Sequence, residues 1–188
     1  VNVVTTIPDL AWMAREIGGE HVEVSPLLEG TENPHYVDAV PEFIRLVDKA
    51  DVVCMVCLDL EVGWIQKVLA KSGNPRVQKG GDGYCDLGRG IDALEKPRGT
   101  VDRSMGHIHP SVYPHYWLAP YRLAVASQEI VRVLSRVDPS HASAYQARYQ
   151  AVSERLQALE TSLRERLRKA KPSRALAIQY HADFIYFL

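Results

Sequence analysis

The sequence predicts an α/β protein of two βα lobes bridged by one long rigid helix, with the second lobe present only as its first strand and the start of a helix. Three observations predict it. The first half alternates short apolar, β-branched runs with amphipathic stretches. Tyr145, Tyr149, Val152, Leu156, Leu159, Leu163 and Leu167 then recur in steps of four and three, the period of one helix face. Beyond Lys171-Pro172 a new strand-like run begins at Arg174.

The elements follow in order. Val1–Thr5 reads as a strand, and Pro8-Asp9 opens a helix with Leu10, Met13 and Ile17 on one face, ended by Gly18-Gly19. His21–Leu28 reads as a second strand, Pro41–Lys49 as a short helix, Asp51–Leu58 as a third strand and Leu60–Lys71 as another helix. Strand signals recur near Val77 and at Leu87–Ile91. This β-α-β-α order favours a parallel sheet covered by helices, which holds ligands at the carboxyl ends of its strands.

Between Ala93 and Ala119 the pattern gives way to a loop of Gly, Pro, Ser and His, a length that is usually functional or mobile. Pro120 starts a helix with Leu123, Ser127, Ile130, Leu134 and Val137 on one stripe, and Asp138-Pro139 reads as a fresh N-cap. The helix behind it should span about 45 Å at 1.5 Å per residue. That outruns a small domain, so it should brace two. Arg174–Gln179 reads as a strand, followed by a turn at His181 and a helix from Asp183. One strand and one helical turn cannot bury enough apolar surface to fold alone, so a second lobe is expected to continue past Leu188. The expected division is an N-terminal lobe over 1–119, a helical segment over 120–171 and the start of a C-terminal lobe over 172–188.

A net charge of −1 over 188 residues argues against nucleic acid or an anionic membrane surface as partner. The longest apolar run, Val52–Leu58, is far short of the ~20 residues of a membrane span. Val1-Asn2-Val3-Val4 reads as a strand and shows no signal peptide, as in a processed N-terminus or a cytosolic protein. Cys54 and Cys57 form a C-x-x-C inside the third strand, where residues three apart face opposite sides, so both read as buried thiols. Cys85 reads as a lone thiol in a Gly-rich turn, and an odd count argues against a disulfide framework.

Seven histidines exceed what a structural protein of this size needs. His35 (Asn33-Pro34-His35-Tyr36), His115 (Tyr113-Pro114-His115-Tyr116) and His181 (Tyr180-His181-Ala182-Asp183) all fall in loops at strand ends or helix starts. Two of them follow a proline, which pins the backbone leading into the imidazole. Taken singly, each reads more readily as an exposed or hydrogen-bonded loop histidine than as a ligand. His21 and His141 read as surface residues, Glu61 as a helix cap and Trp64 as a core residue.

Together these blocks carry a resemblance. Pro34-His35-Tyr36 with Pro41, the Ala50-Asp51 strand entry, Leu60-Glu61 with Trp64, Pro114-His115-Tyr116-Trp117-Leu118-Ala119-Pro120, Asp138-Pro139 with Tyr145, and Tyr180-His181-Ala182-Asp183-Phe184-Ile185-Tyr186-Phe187 resemble the metal-binding solute-binding proteins of zinc and manganese ABC transporters. The resemblance runs in order from Val3 to the last residue. It implies that His35 and His115 from the first lobe and His181 from the second meet a metal ion between the lobes, with a fourth, carboxylate ligand beyond the end of this chain. It implies a periplasmic, or extracellular and membrane-anchored, bacterial protein, monomeric and without a transmembrane segment of its own, that hands its cargo to the membrane permease of a metal ABC transporter.

Three imidazoles and a carboxylate suit four-coordinate Zn²⁺. Relatives specialised for Mn²⁺ tend to carry a carboxylate in place of the third histidine, so His181 favours zinc over Mn²⁺ or Fe²⁺. A closed coordination sphere leaves no position for an activated water, which implies binding and not catalysis. The family usually has Asp where Ala119 stands, so the helix starting at Pro120 should lack that cap. The family's metal-acquisition loop is reduced to His107-Ile108-His109, auxiliary ligands or solvated loop residues. A zinc hydrolase built on His107 and His109 is the enzyme alternative, disfavoured because no strand-like run precedes the pair. A metal-binding adhesin of the same fold is the other.

Overall fold

The computed structural model describes residues 1–94, 112–170 and 184–186. Four short strands, β1 (Asn2–Thr5), β2 (Glu23–Pro26), β3 (Val52–Met55) and β4 (Tyr84–Asp86), form one sheet in the order β2-β1-β3-β4. All three pairings are parallel, as the βα alternation predicts. Every residue of β3 is buried, the pattern of a strand covered on both faces.

Helix α1 (Pro8–Gly18) buries Leu10, Met13 and Ile17, the three residues its periodicity marks. It ends because Gly19 takes φ 56°, where a Cβ would also overlap the Arg148 guanidinium. Helices α2 (Pro41–Asp48) and α3 (Ile65–Ser72) follow β2 and β3. The sheet and these helices share one core with α4 (Pro120–Ala126), α5 (Gln128–Val137) and the first half of α6 (Ala142–Lys169).

Several elements depart from the sequence expectation for local reasons. The second strand is shorter than His21–Leu28, and His21 lies in a 3₁₀ turn, Gly19–His21. The third strand stops at Met55 because Cys57, Leu58 and Asp59 take φ of 62°, 48° and 68°. The helix expected from Leu60 starts at Ile65, after a turn through Glu61 and Trp64. Val77 and Leu87–Gly90 lie in 3₁₀ turns instead of strands. There the side chains of Asn74 and Asp86 accept the N–H groups of Arg76 and Gly88, which draws the backbone into turns. Cys85 is therefore a buried residue of β4 opposite Cys54 of β3, not a turn residue.

The expected Pro120–Val137 helix is broken at Ser127, whose hydroxyl donates to the Leu123 carbonyl at 2.7 Å and draws the backbone out of regular helix. Asp138 caps no backbone N–H. It accepts from Ser140 Oγ (2.6 Å) and Tyr145 Oη (2.7 Å) and pairs with His141 Nδ1 (2.7 Å), which together hold its carboxyl well below the usual range. His21 and His141 are not separate surface residues but stack at 3.8 Å between centroids, 19° from parallel. Parallel imidazoles aim their in-plane lone pairs side by side, so the stacked pair does not converge on one ion.

Helix α6 has 28 residues, about 42 Å at 1.5 Å per residue. Tyr145, Tyr149, Val152, Ser153 and Leu156 are buried against α1, α4 and α5, and Arg155 pairs with Glu16 at 2.6 Å. Leu159 and Leu167 continue the same stripe but are exposed among the described residues. Among those residues no helix is long and apolar enough to cross a membrane. Leu156→Ala should therefore lower the unfolding free energy of this chain by about 2–5 kcal/mol in urea titration. Leu167→Ala should stay within about 0.5 kcal/mol.

Candidate metal centre

Because the strands are parallel, the chain leaves β1, β2 and β3 along one edge of the sheet. The loop after β2 carries His35. It is closed by polar side chains, since Asn33 Oδ1 accepts the His35 N–H at 3.1 Å. Glu32 Oε2 accepts the N–H groups of Glu29, Gly30 and Thr31, each at 3.1 Å, and backbone donors lower its carboxyl pKa. His115 comes from the other end of the chain, after Pro114 and immediately before a 3₁₀ turn, Tyr116–Leu118.

The two imidazoles meet at this edge. Their centroids are 5.2 Å apart with the planes 73° from parallel, and the Trp117 ring lies 5.1 Å from His115. His115 is 4 % exposed and His35 half-buried. A cavity of about 160 Å³ lies next to the same loops, lined by Leu28, Glu32, Pro34 and Trp117 among others but by neither imidazole. That is smaller than the roughly 300–1,000 Å³ of an organic-ligand pocket and adequate for an ion with a little water. His107, His109 and His181 lie outside the described residues. Among the described residues no group of three or more His, Cys, Asp or Glu side chains could hold a metal ion.

Glu61 and Trp64 do more than the helix cap and core packing that the sequence suggests. Glu61 is 1 % exposed at the carboxyl ends of β1 and β3. Its Oε1 accepts from Thr6 Oγ1 (2.6 Å) and the Val56 N–H (2.8 Å), and its Oε2 accepts the Cys57 N–H (2.9 Å). Burial pushes its carboxyl up to about 7, opposed by these donors, which favour the ionised form. Trp64 Nε1 donates to the Pro34 carbonyl at 2.9 Å, and Tyr116 Oη donates to the Val56 carbonyl at 2.8 Å. Burial, with Glu61 and Asp86 nearby, raises the Cys57 thiol, so it keeps its proton at neutral pH and is no ready thiolate ligand.

The C-terminal segment reaches the same region. Tyr186 Oη donates to the Tyr113 carbonyl at 2.6 Å and accepts the Leu94 N–H at 3.1 Å, and Arg122 lies over its ring at 5.6 Å. Ala119 provides no cap for α4, as expected from its side chain. A carboxylate from elsewhere takes the role, because Glu160 of α6 accepts the Tyr121 N–H at 2.8 Å. Only a long-range contact reveals it.

The model of the periplasmic zinc-uptake complex component A family, ZnuA, matches residues 3–188. The chain belongs to this family. The metal ABC transporter substrate-binding lipoprotein ScbA of Streptococcus cristatus is 23 % identical over 194 residues, spanning 100 % of this chain and 58 % of its own length. The manganese ABC transporter substrate-binding lipoprotein scaA of Streptococcus gordonii is 22 % identical with the same coverage. The crystal structure of a zinc-bound ZnuA with residues 138–173 deleted superposes with a TM-score of 0.83 at 25 % identity, over 100 % of this chain and 65 % of that one. This chain thus spans 58 % of the length of these curated relatives.

Because the Glu61 carboxyl is raised to about 7 in the fold, it is the protonated form that folding favours. Its contribution is complete below the unfolded-state value of about 4.3 and is lost as pH rises through 7. Unfolding free energy measured between pH 5 and 8 should fall with rising pH, and the Glu61→Gln variant should lack that slope. The variant turns an amide N–H₂ or leaves a poor acceptor toward the Cys57 or Val56 N–H, so at pH 5 it should be less stable by about 1–3 kcal/mol.

Proposed function

We propose that this chain is part of an extracytoplasmic solute-binding protein that captures a transition-metal ion and delivers it to the permease of an ABC transporter. The observation that carries this reading is the His35–His115 pair, two imidazoles from distant parts of the chain brought to 5.2 Å at the carboxyl edge of a parallel sheet. Membership of the zinc-uptake family supports it, and so do relatives named as metal-transporter lipoproteins. The lipoprotein names also support placement outside the cytoplasm, anchored to a membrane.

The ligand set comprises His35, His115 and His181, with the remaining ligand supplied from the second lobe of the whole protein. The Tyr186 contact supports His181 as the third, because it brings a residue five positions after His181 against Tyr113, two before His115. Zn²⁺ is the cargo that three imidazoles favour, since neutral imidazole is a borderline ligand matched to four-coordinate zinc. Mn²⁺ is the second reading, favoured by the relatives named for manganese in Streptococcus gordonii and Streptococcus pneumoniae. A sphere filled by protein ligands leaves no open position for an activated water, so the reading is capture and not hydrolysis.

In the full-length protein, isothermal titration with Zn²⁺ should give one site, and His35→Ala or His115→Ala should each weaken it at least tenfold. Unchanged affinity in both variants sinks this reading. His181→Asp should shift preference toward Mn²⁺ in competition titrations, because a carboxylate is the harder ligand.

A further inference from the structure

The two histidines are held by one turn. We infer that Glu61, Trp64 and Tyr116 form a positioning bracket that sets the separation and angle of His35 and His115, and through them the affinity and coordination geometry of the bound metal. This inference rests on the metal-capture reading above.

The bracket is a chain of direct bonds. At one end, Trp64 Nε1 holds the Pro34 carbonyl at 2.9 Å, one residue before His35. Three residues before Trp64, Glu61 holds the Val56 and Cys57 N–H groups at 2.8 and 2.9 Å. The carbonyl of the same Val56 accepts the Tyr116 hydroxyl at 2.8 Å, one residue after His115. Each link is buried or nearly so, with Trp64 and Glu61 1 % exposed and Tyr116 fully buried. The path from one imidazole to the other therefore runs through a single turn and the end of a single strand, with no solvated side chain in it.

The turn is stiff. Cys57, Leu58 and Asp59 all take left-handed φ without being glycine, which costs about 1–2 kcal/mol apiece. Three donors on one buried carboxylate hold that conformation, with Thr6 Oγ1 tying it also to the end of β1 at 2.6 Å. A looser connection would let the histidine loops drift, and ligand geometry displaced by a fraction of an ångström weakens a metal site. None of the three side chains needs to touch the ion.

The experiment uses the full-length protein and two variants that each remove one donor, Trp64→Phe and Tyr116→Phe. Zn²⁺ affinity is read by competition titration, and geometry by the d–d spectrum of the Co²⁺-substituted protein. Val152→Ala, in the α6 core away from the histidines, serves as a control for simple loss of stability. Both donor variants should weaken Zn²⁺ binding about 10- to 100-fold and shift the Co²⁺ bands, and the control should do neither. If Trp64→Phe fails to fold, Tyr116→Phe decides alone, since it deletes one oxygen. Wild-type affinity and spectrum in the donor variants overturn the bracket, as does a control that reproduces their effect. Metal binding unaltered by His35→Ala and His115→Ala overturns instead the capture reading on which the bracket stands.

Discussion

One buried carboxylate organises the functional edge of this molecule. A parallel sheet ends with its strands' backbone groups exposed along one side, and the chain must turn away from each strand without leaving buried N–H groups unpaired. At β3 that turn passes through three left-handed residues, an arrangement that would not persist unsupported. Glu61 supports it by taking two of those N–H groups and the Thr6 hydroxyl at once. The cost is a carboxyl group pushed up to about 7 by burial, close to the point where it would give up its charge. Hydrogen bonds to a charged acceptor are roughly twice as strong as neutral ones, and here they offset part of the desolvation, which still dominates.

Placement of the histidines follows from that turn. Proline ahead of His35 and of His115 narrows the backbone at each, and side chains of Asn33 and Glu32 knot the first loop on itself. These are local devices. What brings the two imidazoles to 5.2 Å is nonlocal, the Trp64 and Tyr116 bonds on either side of the Glu61 turn. The Trp117 ring packs 5.1 Å from His115 and also lines the neighbouring cavity of about 160 Å³, which is small for an organic solute.

The parts of this arrangement legible in the sequence are those with a local or periodic signature. Leu10, Met13 and Ile17 mark α1, and the four-and-three stripe from Tyr145 marks α6, because amphipathic period survives any change in neighbours. The histidine blocks are legible by their prolines and by family resemblance. Elements set by side chain–backbone bonds carry no such signature. Asn74 and Asp86 turn the chain where β-branched residues suggest strands, and Ser127 breaks a helix whose stripe continues unbroken. The roles of Glu61, Trp64 and Glu160 have no periodic signal at all. A Glu just ahead of a helix reads as a cap whether its carboxylate bonds the next turn or two strands away, and only tertiary contact separates the two.

The long helix gives the metal-capture reading its mechanical sense. Its first half is welded to the sheet lobe by Tyr145, Tyr149, Val152 and Leu156, while Leu159 and Leu167 carry the same stripe beyond that contact. Glu160 sits at the boundary and accepts the first turn of α4, the helix that His115 leads into. On the proposed reading, two ligands are thus held against the sheet lobe before any ion arrives, so little conformational entropy is lost in forming their half of the sphere. The remaining ligands, on the proposed reading, come from a segment joined through Tyr186 and the far end of α6. An ion held by two fixed imidazoles alone is weakly bound, because a two-ligand site leaves half a tetrahedral sphere to water. Capture would need both sets of ligands together, and release to a permease would need only their separation, without disturbing the buried carboxylate that keeps His35 and His115 in place.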